Sequence, residues 1–130
     1  MMIFFNGTNS FAFAACTLFD NKKVKCFGYG SFGQLGYENT NNIGSDSSKM
    51  GNNLLFVNLG TDILVSSLYS SGGAYHNCII IIDSQLMKCW GYNINYQLGY
   101  DDDNNNRGSS IDTMGDKLPN INLGTESKVL

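Results

Sequence analysis

The chain has 130 residues, 42% of them hydrophobic and 15% charged, with a formal net charge of −3. The length suits one ordinary domain, and the composition excludes a disordered chain. The slight acidity excludes a broad electrostatic grip on nucleic-acid phosphates, and no apolar run is long enough to span a membrane as a helix.

The first residues, Met1-Met2-Ile3-Phe4-Phe5, have the apolar look of a leader, and Phe13-Ala14-Ala15-Cys16 that of a lipoprotein cleavage site. A leader lacks support, because there is no basic segment before the apolar residues and Asn6-Gly7-Thr8-Asn9-Ser10 interrupts them. Without one, the cytoplasm is favoured over the extracellular space, and the compartment stays open. The sequon Asn6-Gly7-Thr8 matters only if the chain is secreted.

Residues 11–19 are apolar on both faces. Asp20-Asn21-Lys22 signals a turn, and residues 24–27 form a short second strand, so the spacing predicts a β-hairpin. The pattern returns with a strand over 75–82, a turn at Asp83-Ser84 and a strand over 86–90. Four consecutive isoleucines at 79–82 do not suit a half-exposed strand. They fit one covered on both faces, and β-branching argues against a buried helix.

The hairpin arithmetic sets Cys16 opposite Cys26, and Cys78 opposite Cys89. Each pair is either a cross-strand disulfide, if the compartment is oxidising, or two buried thiols packing as small apolar groups. Lacking a leader, the reading leans to thiols. A zinc site is not expected, since there is no Cys-x-x-Cys and His76 is the single histidine.

After each hairpin comes a Gly- and Asn-rich turn ending in Gln-Leu-Gly. Polar insertions follow at 38–49 and 101–113, then short strands are expected over 54–59 and 63–68. Cys26 and Cys89 lie 63 residues apart (89 − 26), and the Met-Gly signals at Met50 and Met114 lie 64 apart (114 − 50), so the chain holds an internal repeat. The predicted fold is all-β: about two blades of four antiparallel strands, an incomplete β-propeller. The division falls at 1–61 and 62–130. The first copy is N-terminally degenerate or truncated, and the chain is expected to be a piece of a longer propeller.

His76-Asn77-Cys78, Lys88-Cys89-Trp90-Gly91, Gln97-Leu98-Gly99 and 114–119, with Lys25-Cys26-Phe27-Gly28 and Gly33-Gln34-Leu35-Gly36, resemble the repeat of the regulator of chromosome condensation family, its β-lactamase-inhibitor-type branch included. The first copy departs at Ala14 and Phe27, which stand where the second has His76 and Trp90. The resemblance implies closed propellers, typically of seven blades.

Three motifs point elsewhere. Gly28-x-Gly30-x-x-Gly33 matches a dinucleotide fingerprint, but 34–39 reads as turn where a helix is needed. Asp101, Asp103, Asn105, Ser109 and Asp112 imitate a calcium loop with Asn106 at the obligatory glycine. His76 has no nucleophile or orienting acid placed beside it by any motif.

No cofactor or metal is expected, and no catalytic constellation. Cys16, Cys26, Cys78, Cys89, Trp90, Gly28, Gly91, Gly36 and Gly99 are structural candidates. Function is expected in non-catalytic protein binding through the insertions, with Glu38, Asn42, Asp101, Asp103 and Arg107 as candidate contacts. The partners are an unidentified protein and further blades or a second copy of the chain. Two alternatives are guanine-nucleotide exchange on a small GTPase, from the resemblance alone, and a calcium- or carbohydrate-binding surface module.

Overall fold

The computed structural model describes residues 2–6 as backbone, and 14–70, 75–125 and 128–130 in full. Residues 11–13, the start of the expected first strand, lie outside these. Two three-stranded antiparallel sheets form, each a simple meander. The first holds β1 (Met2–Asn6), β2 (Ala14–Leu18) and β3 (Val24–Gly28). The second holds β4 (Val65–Ser70), β5 (His76–Ile81) and β6 (Met87–Gly91). Among the described residues the only helical pieces are single 3-10 turns at Ser47–Lys49, Gly51–Asn53 and Gly115–Lys117. The architecture is all-β and open, as in an incomplete propeller. Among the described residues no helix is long and apolar enough to cross a membrane.

Both hairpins form where the turn signals put them. Lys22 and Gln85 take positive φ, 64° and 57°, to close the two turns. Registers match across the sheets: Cys16 faces Cys26 and Ala15 faces Phe27, as Cys78 faces Cys89 and Asn77 faces Trp90. Both cysteine pairs are disulfides, with Cα atoms 4.1 Å apart in each. This corrects the lean towards free thiols. The cysteines occupy the non-hydrogen-bonded type of antiparallel pair, where side chains approach most closely. Ile79, Ile80 and Ile81 are all buried, so that strand is covered on both faces, but Ile82, expected in the same strand, falls in the turn and is half-buried.

Met2–Asn6 pairs along its whole length with β2. The fourth strand of each blade differs from expectation. Residues 54–59 form no ladder. Each outward-facing position of β3 is met by a different segment. The Val57 N–H reaches the Val24 carbonyl at 2.7 Å, the Tyr37 hydroxyl sits on Cys26, and Ile43 bridges Gly28. On β6 the same places are taken by the Ile121 N–H on the Met87 carbonyl at 2.8 Å, by Tyr100 on Cys89, and by Arg107 bridging Gly91. A hydroxyl inserted at the middle position stops a continuous strand from pairing there. It still satisfies the edge, which would otherwise be open to pairing with another chain.

The sheets share one core. Val24, Leu35, Val57 and Leu59 pack with Val65, Leu68, Ile79, Trp90, Leu98 and Met114 in a single apolar cluster. Contact between the sheets therefore stabilises the chain, by about 25 cal/mol per Å² of apolar surface buried.

Candidate interaction surface

The joint between the sheets is built from polar bonds set in apolar surroundings. Trp90 is fully buried, and its indole N–H donates to the Gln34 carbonyl at 3.0 Å. The Asn77 side-chain amide donates to the same oxygen at 2.7 Å. Gly36 must be glycine here. It has φ 76°, and a Cβ would lie 2.7 Å from Val57 Cγ1 and 2.9 Å from Trp90 Nε1.

At the other end of the joint the Lys88 ammonium donates to the Leu59 carbonyl at 2.8 Å and lies 3.4 Å from that of Gly115. Burial lowers the Lys88 pKa, and nearby Asp116 partly offsets this. Asp116 accepts from the Thr61 N–H and hydroxyl, each at 2.7 Å. Those bonds, followed by the Lys88 charge, hold its pKa below the usual carboxylate value.

Glu38, one of the expected partner contacts, accepts from the Thr113 and Met114 N–H groups at 3.0 and 3.1 Å. Its carboxylate fastens the first insertion to the second. Tyr29 and Phe32 cluster with Tyr75 and Tyr92 across the same joint, with ring centroids 4.6 to 6.4 Å apart.

Tyr37 and Tyr100, each following Gln-Leu-Gly, carry more than the sequence reading gave them. Each accepts from a cysteine N–H, at 3.0 Å from Cys26 and 2.9 Å from Cys89. Each hydroxyl also lies within hydrogen-bond distance of that cysteine's carbonyl, and Tyr37 lies 2.9 Å from the Leu55 carbonyl too. Burial pushes both phenols up to about 12, partly countered by the cysteine backbone. Their identical place in both copies was the available signal.

The insertions are anchored alike and end differently. Asn42 accepts from the Gly30 N–H, and Asn106 from the Asn93 N–H, each at 2.9 Å. Asn42 is therefore a buttress as well as an exposed loop residue. Beyond these anchors, Arg107 folds back on Asp102 and Asp103. Asp103 also accepts from the Asn105 N–H at 2.9 Å; that bond, with the guanidinium, lowers its pKa. Of the carboxylates at the calcium-like positions, Asp103 is thus engaged by a guanidinium. Among the described residues Asp101 is the one candidate contact whose side chain is uncommitted. A cleft of about 340 Å³ opens beside the first insertion, lined by Tyr37, Glu38, Ile43, Lys49, Leu54 and Phe56.

The dinucleotide-like glycines make a turn with no helix after it. Gly28 and Gly33 have positive φ, and Gly30 packs on the Asn41 carbonyl. His76 lies opposite Gly91, half-buried. Among the described residues no group of His, Cys, Asp and Glu is disposed to hold a metal ion.

With this geometry in place, the chain is similar to RCC1. The match is to yeast RCC1 (Prp20) in its crystal structure bound to Kap60, at 18% identity and a TM-score of 0.48. It covers 70% of this chain, which spans about 18% of the length of that protein. No protein-family description matches the sequence, and no curated protein is similar to it.

Proposed function

We propose that the chain is a non-catalytic protein-interaction module, a portion of a β-propeller formed by units 1–61 and 62–130, which binds a partner protein through its two insertions. The carrying observation is the contrast within 38–49 and 101–113. Their bases are fixed by the same bonds to Gly30 and Asn93, while their outer residues are exposed and chemically different. Rigid scaffolds with divergent loops are how binding surfaces are generally made. The tip at 101–107 sets three aspartates against one arginine, so it favours a partner with basic or amide donors. The two disulfides support an oxidising compartment.

The test starts from a protein captured by the full chain, identified and purified. It is titrated against the wild-type chain and a variant carrying Asp101→Lys and Asp102→Lys. The expected outcome is a loss of about tenfold or more in affinity, as charge reversal at an interface produces. Equal affinity for both forms would remove the loop reading.

A further inference from the structure

The joint between the two sheets is a template for reading the outer faces. Each acceptor that the first unit offers to the second has a counterpart on the far side of the second unit. Gln34, fully buried in the joint, corresponds to Gln97, whose backbone carbonyl meets no donor among the described residues. Gly36 is pressed by Trp90 and Met114, whereas a Cβ on Gly99 would meet only Ile121. Leu59 is 5% exposed and Leu123 64%.

The far acceptor is already shaped. The Gly124 N–H bonds the Asn122 side chain at 3.1 Å, as the Gly60 N–H bonds Asn58 at 3.2 Å. A Cβ on Gly60 would lie 3.0 Å from Asp116 and 3.3 Å from Lys88, while nothing lies within 4 Å of one on Gly124.

The chain's own near face does not complement this surface. Where β5 and β6 present Asn77 and Trp90, β2 and β3 present Ala15 and Phe27, neither of which has a side-chain N–H. A second copy stacked head to tail would cover the Gln97 carbonyl without a donor. A buried carbonyl left unpaired disfavours that contact. The second unit of another copy cannot serve either, because its Trp90 is already engaged with Gln34.

We infer that the 97–99 and 122–125 face is a docking surface for a further sheet unit distinct from the first. That unit carries a tryptophan at the Trp90 place, an asparagine at the Asn77 place, and a lysine–aspartate pair like Lys88 and Asp116. It must also differ at one loop. Gly33 admits Gly108 and Ser109 at contact distances that leave no room for a Cβ, but its counterpart is Tyr96, 64% exposed. The incoming unit is therefore recessed where 108–109 sits in this chain. This inference rests on the propeller reading and narrows the partner unit that such stacking would take.

The experiment extends the full chain after Leu130 in two ways. One extension repeats residues 62–130 and the other repeats 1–61, each in a background carrying Tyr96→Gly to admit the added loop. The 62–130 extension is expected to raise the melting temperature of the parent by about 4 °C or more, the shift that one good buried contact set gives a domain of this size. It should also slow hydrogen exchange at the Leu98 and Gly99 amides. The 1–61 extension should do neither, and Trp90→Phe with Asn77→Ala in the appended copy should abolish most of the gain. Equal gains from both extensions, or a gain untouched by those substitutions, would overturn the donor requirement while leaving stacking intact. No gain from either would overturn stacking itself, and with it the propeller reading.

Discussion

Trp90 and Phe27 hold the same place in their sheets, one across from Asn77 and the other across from Ala15. Trp90 is wholly buried and Phe27 is 36% exposed. Lys88, 6% exposed, reaches two carbonyls, while its counterpart Lys25 rests over the rings of Phe19 and Phe56 at 5.9 and 4.8 Å. The strands, the turns and the disulfides are alike. What differs is the surface against which each sheet packs. Burial here is therefore conferred by the neighbour, and equivalent residues contribute unequally to stability.

The sharpest way to break this comparison is to shorten both aromatics. Trp90→Ala is expected to cost about 3–5 kcal/mol, the range for deleting a large buried aromatic. Phe27→Ala should cost no more than about a third of that, because much of its surface is already solvated. Chemical unfolding of the two variants gives both numbers, and equal losses would contradict the template.

The disulfides come next. Cys78→Ala with Cys89→Ala should remove about 2–4 kcal/mol by releasing the unfolded chain from a short closed loop. Cys16→Ala with Cys26→Ala should do nearly the same, since the sequence separations are 11 and 10. Here the comparison predicts likeness, because each crosslink acts within its own sheet.

The two tyrosines should also behave as a pair. Tyr37→Phe or Tyr100→Phe leaves the backbone groups of a cysteine unpaired, an expected loss of about 1–3 kcal/mol each. Both phenols have folded pKa values of about 12 against an ordinary 10.0. The unfolded chain then loses those protons first as pH rises. Their contribution is fully present below pH 10 and falls away between about pH 10 and 12. A pH series of unfolding curves on the double Phe variant should be flatter over that window than on the wild type.

The smallest effects are at the lysines. Lys88→Met should cost about 1–3 kcal/mol by stripping the Leu59 carbonyl of its donor, and Lys25→Met should stay within about 0.5 kcal/mol. Comparable losses from the two would mean that Lys25 has a buried role at its own face.

Within each hairpin, the sequence was a good guide. Turn residues at 20–22 and 83–84, the opposed cysteines and the isoleucine run all depend on neighbours close along the chain. The all-β architecture and the repeat followed from the same local signals. What was not legible depends on contacts distant in sequence. Glu38 meets residues more than 70 positions away, and Lys88 meets a carbonyl 29 positions back. In the sequence Glu38 stood only as a loop contact and Lys88 only as part of the repeat motif. The fourth strands failed for a related reason: β-propensity at 54–59 cannot report that a tyrosine hydroxyl already occupies the edge of β3. Asn42 and Arg107 read as loop contacts because nothing in their own neighbourhood marks the anchoring of 42–43 and 106–107 to the strand ends.

The stacking of one sheet on the other is tested most directly at the one tryptophan in the chain. Its indole proton gives a single resonance in a nitrogen-edited spectrum of the oxidised protein. A buried donor to Gln34 should exchange slowly with water and show cross-relaxation to protons of Leu35 and Gly36. An indole proton that exchanges as fast as that of free tryptophan, with no such cross-peaks, would contradict the account.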